Sequence, residues 1–203
     1  MKLWIILLIL ATLPANSRQQ SNTEDTKSPK DVVEQFVKMD AGGARLTQEG
    51  WYRTAHFFVR PLALPQDKKI LVVSDTFELR EGEMKGDRAK FHVFFFHFYG
   101  QLDARLHFEP ASHRASNGAL IKDGLLSSYD LARTENHLEF EPGASEIREV
   151  RGPAEWKIEN AQVTPTISLT TAIRYVTEMR DKTADPVAKK HADETLAALS
   201  KLH

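Results

Sequence analysis

The sequence predicts an α+β protein, with two N-terminal helices, a strongly bent antiparallel sheet and a C-terminal helical hairpin. Three observations carry that expectation. In Arg88–Phe108 (RAKFHVFFFHFYGQLDARLHF), Ala89, Phe91, Val93, Phe95, His97 and Tyr99 share one face by alternation. Lys90, His92, Phe94, Phe96 and Phe98 take the other face. Residues 28–58 and 168–199 instead carry apolar side chains at helical spacing. Helices on either side of a strand run, rather than between its strands, segregate to one part of the sheet.

The first helix starts at Ser28-Pro29-Lys30-Asp31, which offers a capping hydroxyl, a proline at the first helical position and an acid at the third. Val32, Val33, Phe36 and Val37 form its stripe, and Gly42-Gly43 ends it. Thr47 caps a second short helix carrying Trp51, Ala55 and Phe58, which stops before Pro61. A loop with Pro65 follows over Leu62–Lys69, then a strand at Ile70–Arg80 and a polar connection at Glu81–Asp87. The central strand is apolar on both faces from Phe94 onward and so needs two covers. Each fully buried Phe is worth about 1.5–3 kcal/mol. Gly100 marks a bulge or bend, after which Leu102, Ala104, Leu106 and Phe108 continue the alternation as one strand. Glu109–Asp123 reads as a loop. Leu125–Arg133 and His137–Phe140 read as two strands about a Thr134-Glu135-Asn136 turn, and Pro142-Gly143 as the next turn. Glu146–Val150 and Glu155–Glu159 read as two more strands, broken by Gly152-Pro153. Ser168 or Thr166 caps a helix with Leu169, Ala172, Ile173 and Val176 on one face; Asp185-Pro186 starts another with Ala192, Leu196 and Leu199.

Composition narrows the partners. Lys+Arg total 27 against Asp+Glu 28, a formal net charge of −1, so no electrostatic case exists for nucleic acid or an anionic membrane. Residues 1–17 read as a signal peptide: Lys2, an apolar run Leu3–Leu13, and a small-x-small site at Ala15-Asn16-Ser17. The run is too short to span a bilayer, which takes roughly 20 residues. Residues 18–27 are polar and read as a disordered leader. The mature chain is therefore expected in the periplasm or outside the cell, with no membrane partner. It has no cysteine, hence no disulfide, and no Asn-x-Ser/Thr sequon.

Two helices feeding a bent sheet that ends in Trp156-Lys157-Ile158 resemble the NTF2-like superfamily, the cone shared by ketosteroid isomerases and SnoaL-type cyclases. The resemblance covers residues 28–160, with 161–203 as a helical pair packed on the same domain. It implies a homodimer through the sheet, which would cover Phe94, Phe96 and Phe98; the C-terminal pair is the other cover on offer. The isomerase set of a tyrosine and a protonated aspartate as donors with an aspartate base does not match position by position, so no catalytic residue is carried over.

Candidate ligand-binding residues fall in two groups. Trp51, Tyr52, His56, Phe95 and Trp156 could line an apolar pocket between helices and sheet, with Asp40 or Asp75 at its mouth. His97, Tyr99 and Asp103 gather near the Gly100 bend, where a His–Asp pair beside a tyrosine suits acid–base chemistry. Both groups also have a plain reading as core packing and strand ends. No nucleophile elbow, phosphate loop or dinucleotide fingerprint occurs, and the eight histidines show no metal-ligand spacing, so neither cofactor nor metal is expected. The expected function is an exported, non-catalytic module binding a small apolar ligand or a protein partner. The alternative is an isomerase, cyclase or hydrolase using acid–base residues inside the cone.

Overall fold

The computed structural model describes residues 27–60, 70–111, 120–121, 124–141, 146–160 and 164–202. The signal peptide, most of the leader, the 62–69 loop and the Pro142-Gly143 turn lie outside them. The chain is α+β, as expected, but its sheet is mixed rather than antiparallel. Among the described residues the sheet has seven strands, β1 (Ile70–Lys85), β2 (Arg88–Asp103), β3 (Phe108–Pro110), β4 (Leu120–Ile121), β5 (Gly124–Phe140), β6 (Ile147–Ile158) and β7 (Thr166–Ile167), in the order β4-β5-β2-β1-β7, with β3 on β2 and β6 on β5. No helix among these residues is long and apolar enough to cross a membrane.

Helix α1 (Pro29–Ala41) forms as its cap dictates: the Asp31 amide donates to Ser28 Oγ and the Ser28 amide donates to Asp31 Oδ2. Helix α2 (Gln48–Thr54) starts on Thr47, whose Oγ1 accepts from the Gly50 amide at 3.0 Å, and runs into a 3₁₀ turn at Ala55–Phe57. A further 3₁₀ turn, Ala44–Leu46, joins the two helices. The α1 stripe of Val32, Val33, Phe36 and Val37 meets Trp51, Phe57 and Phe58 over the sheet residues Phe91, Val93, Phe95, Tyr129, Leu131, Leu138 and Ile158.

Strand β1 (Ile70–Lys85) is longer than expected and pairs with β2 (Arg88–Asp103) through a two-residue turn at Gly86-Asp87. The polar, glycine-containing run Glu81–Asp87 reads as a connection, but Glu81–Lys85 continue the strand although they are exposed. The ladder to β2 holds them, not burial. β2 in turn ends early. At Asp103 the chain reverses, and β3 (Phe108–Pro110) folds back on β2, pairing Phe108 with Leu102. Leu102 and Phe108 do share a face, but as cross-strand partners. A tight reversal preserves the parity that one long strand would have had.

Gly100 sits at a one-residue register shift: Ser74 pairs with Phe98 and Val73 with Gly100, leaving Tyr99 as the extra residue. Its φ is 153°, and a Cβ there would lie 2.2 Å from the Glu109 carbonyl oxygen on β3. Only glycine lets β3 come so near.

β4 (Leu120–Ile121) is a short partner of β5 (Gly124–Phe140), so within the expected 109–123 loop Glu109-Pro110 and Leu120-Ile121 are strand, while 112–119 and 122–123 lie outside the described residues. β5 is one strand, not two; the expected turn is a register shift between Thr134 and Asn136, with the Asn136 amide donating to Thr134 Oγ1. β6 (Ile147–Ile158) likewise runs through Gly152-Pro153. Arg151 still pairs with Asn136 and Glu155 with Thr134, so the proline sits in the bulge where no ladder bond needs its missing N–H. Finally β7 (Thr166–Ile167) adds parallel to β1 and makes the sheet mixed. Two residues carry no periodicity, so nothing announced it.

Helices α3 (Leu169–Lys182) and α4 (Pro186–Leu199) pack on each other and on Val73, Leu102, Phe108 and Ile167 in a second apolar cluster. Phe94, Phe96 and Phe98 belong to neither cluster. The C-terminal pair is therefore not what packs on them.

Candidate functional site

The eight residues singled out from sequence do not converge. Trp51 and Phe95 are buried in the first apolar cluster, with half-buried Trp156 packed against it. Phe95 sits opposite Phe77 and Leu125 in the sheet, where alternation placed it. Tyr99 donates its hydroxyl to Asp75 Oδ2 at 2.8 Å, and that hydrogen bond, ahead of burial, raises its pKa above the usual phenolic value. Asp75 also accepts from the Leu169 amide, at 2.8 Å, which ties β1 to the start of α3. Asp103 is spent on its own turn, accepting from the amides of Arg105 and His107 at 2.8 and 2.9 Å. His97 is exposed and holds a positive φ of 50°. The Tyr99 hydroxyl thus goes to Asp75 rather than to His97 or Asp103.

Asp40 lies inside the protein rather than at a mouth. The Arg45 guanidinium clamps it with two bonds, Nε to Oδ1 at 2.6 Å and a second to Oδ2 at 2.5 Å, and the Thr166 amide donates to Oδ2 at 2.8 Å. Both side chains are about as buried as any in the molecule, at 3% and 1% exposed. Arg45 also lies 5.1 Å from the Phe36 ring centre and 5.6 Å from that of Trp51. Burial drives the nearby Tyr129 hydroxyl to a higher pKa, and Asp40 adds to the rise. This cluster carries a buried charge pair through the join of α1, β5 and β7; sequence reasoning missed Arg45. A lone arginine in a 3₁₀ turn has no spacing to betray it.

Tyr52 and His56 are the two predicted residues that meet at a concavity. A groove of about 500 Å³ opens between α1, α2 and the far end of β5. Met39, Tyr52, His56, Leu138 and Phe140 form its apolar lining, with Arg53, Glu139 and Glu141 also along it. The Tyr52 and Phe140 rings stack at 4.8 Å with an 18° interplanar angle. His56 leans on Phe57, centroids 4.0 Å apart, and its Nδ1 lies 2.7 Å from the Arg53 carbonyl oxygen. His56 is exposed, yet the protein packed around part of its ring desolvates it and lowers its pKa from that of an ordinary imidazole; the Arg53 carbonyl opposes the shift, Lys157 and Lys27 deepen it, and Glu155 opposes it weakly. Met39, Leu138 and Phe140 were absent from the sequence reading because the pairing of α1 with the last turn of β5 is not a local pattern. Phe140 was visible only as the last apolar residue of a strand.

A larger concavity of about 620 Å³ lies by the β1–β2 turn, with Arg60, Lys85, Arg88, Lys90, Glu83, Asp130 and Glu159 among its lining. Its charges largely answer one another: Arg88 pairs with Glu159, and Lys90 with Asp130 at 3.3 Å. Exposed pairs of this kind are each worth about 0–1 kcal/mol and leave little unbalanced field to attract a ligand. The aromatic groove is the stronger candidate. No group of three or more His, Cys, Asp or Glu residues that could hold a metal occurs among the described residues. Comparison with protein-family models, curated proteins and solved structures finds no match to this chain.

Proposed function

We propose that the chain is an exported, NTF2-like, non-catalytic binding module that takes a small apolar ligand in the groove between α1, α2 and the end of β5. One observation carries this reading: the Tyr52–Phe140 ring pair forms a wall of an open, mostly apolar groove. Such a wall binds flat apolar molecules by burying area and by offset stacking, worth about 0.5–1.5 kcal/mol beyond the area term. The catalytic alternative, an isomerase, cyclase or hydrolase, has less support. The buried Asp40 and the exposed Asp75 are already engaged by backbone amides and by Arg45 or Tyr99. A titration with the neutral fluorophore N-phenyl-1-naphthylamine tests the reading. Emission should rise on binding, and Tyr52→Ala or Phe140→Ala should each weaken binding roughly tenfold, with unchanged far-ultraviolet circular dichroism. Equal binding by wild type and both variants, or none by wild type, would overturn it.

A second part of the proposal concerns the opposite sheet face, where a homodimer would form. Phe94 and Phe96 meet edge to face at 4.5 Å, and the Phe94 ring fills the space a Gly124 Cβ would need. Phe94 is already buried, with the Arg80 guanidinium 5.3 Å from its ring centre, while Phe96 and Phe98 are half-buried and stand apart from both apolar clusters; a partner sheet would cover these two. Sedimentation equilibrium should give a dimer at micromolar concentration and a folded monomer for Phe98→Glu. A wild-type monomer across the concentration range would rule the dimer out.

A further inference from the structure

The groove carries a polar feature that the apolar reading leaves unused. A carbonyl oxygen has only lone pairs, so the 2.7 Å contact with the Arg53 oxygen places the His56 proton on Nδ1. A neutral imidazole has a single N–H, so Nε2 keeps its lone pair. No described residue forms a hydrogen bond with that nitrogen. The groove therefore offers a neutral ring acceptor, His56 Nε2, beside a stacked aromatic wall, in addition to the carboxylates along it. Its other polar side chains are the Tyr52 hydroxyl, which accepts from Gln48 Nε2 at 3.3 Å, Arg53, bonded to Glu49 at 2.5 Å, Glu139, and Glu141, paired with Arg148 at 3.3 Å.

We infer that the groove selects a planar aromatic ligand carrying one N–H or O–H donor, held by stacking on the Tyr52–Phe140 pair and by donation to His56 Nε2. The inference rests on the groove reading above and adds the ligand class. An apolar ring lacking a donor leaves the lone pair of Nε2 unanswered on closing the groove, and an anionic aromatic meets Glu139 and Glu141. The neutral ring is the one that can accept. Desolvation and the Lys157 and Lys27 charges favour it, against the Glu155 carboxylate and the Arg53 carbonyl. Protonation turns Nε2 into a donor and abolishes the preference.

Indole and benzothiophene are nearly isosteric, and only indole has an N–H. Titrations followed by amide chemical shifts should put both at Tyr52, His56 and Phe140, with indole about three- to tenfold tighter near pH 7.5. His56→Phe keeps a ring and removes the acceptor, so the ratio of indole to benzothiophene affinity should fall to about one, whatever the change in benzothiophene's own affinity. In the wild type, acidification should erase the indole advantage with a midpoint below the ordinary imidazole value of 6.5. Benzothiophene serves as the control for protonation of Glu139 and Glu141. Equal affinities at this site in the wild type, or an indole advantage that survives both His56→Phe and acidification, overturn the inference while leaving the groove reading intact. Absence of both ligands from the groove overturns the two together.

Discussion

Asp40→Ala is expected to destabilise the protein by about 3–5 kcal/mol, enough to consume much of the net stability of an ordinary domain. The cost comes from what is left behind. Arg45 is 1% exposed in its side chain and has a bidentate bond to the carboxylate, so truncation strands a guanidinium away from water. The same oxygen that serves Arg45 accepts from the Thr166 amide, so β7 loses its tie to α1 as well. Asp40→Asn keeps one acceptor oxygen for that amide but loses the charge and one of the two oxygens that serve Arg45, and should still cost less than the alanine variant. Replacing the pair together by apolar residues, Asp40→Leu with Arg45→Met, should recover much of the loss, because buried ion pairs seldom outweigh a well-packed apolar substitute. Urea unfolding monitored by tryptophan fluorescence gives all three numbers. An alanine variant within about 1 kcal/mol of wild type would mean that the pair is solvated and the interior cluster is misassigned.

Phe36→Ala should cost about 3–5 kcal/mol, the range for truncating a buried aromatic. Phe36 is fully buried, and its ring meets Phe57, Phe58 and Tyr129 edge to face at 5.8, 5.0 and 6.0 Å. It is also a ring over which Arg45 sits, so its removal and that of Asp40 act on one guanidinium. The two losses should therefore not add: the double variant should differ from the sum of the singles by at least about 0.5 kcal/mol. Phe36→Leu retains most of the buried area and should lose less than half as much. Additive losses in the double-mutant cycle would show that ring and ion pair are energetically separate.

Where local chemistry alone decides an element, the residues declared it. Ser28, Pro29 and Asp31 specify the start of α1, Thr47 that of α2, and Asp185-Pro186 that of α4; each cap is present because its side-chain oxygen lies within three residues of the amide it serves. The inward face of β2 was also plain, since Phe91, Val93 and Phe95 are all buried. Breaker residues misled. Thr134-Glu135-Asn136 and Gly152-Pro153 carry turn chemistry, yet both lie in bulges of continuous strands. A bulge and a turn draw on the same permissive residues, and what separates them is whether a partner strand continues alongside. The candidate site follows the same division. Tyr52 and His56 were visible as aromatic residues on one short helix. Their meeting with Met39, Leu138 and Phe140 required α1 and the end of β5 to be brought together over about a hundred residues of chain.

From the amino-acid order alone came the α+β class, the helix caps, the buried face of the phenylalanine strand and the absence of any charge imbalance toward polyanions. Those properties depend on interactions within a few residues or on composition, so no folded partner is needed to define them. The tertiary structure alone decided that β7 joins β1 in parallel, that Asp40 and Arg45 share a buried bond, and that α3 and α4 pack away from Phe94, Phe96 and Phe98. Each of these joins segments remote in sequence, and which remote surfaces meet is settled by the competition for burial across the whole chain.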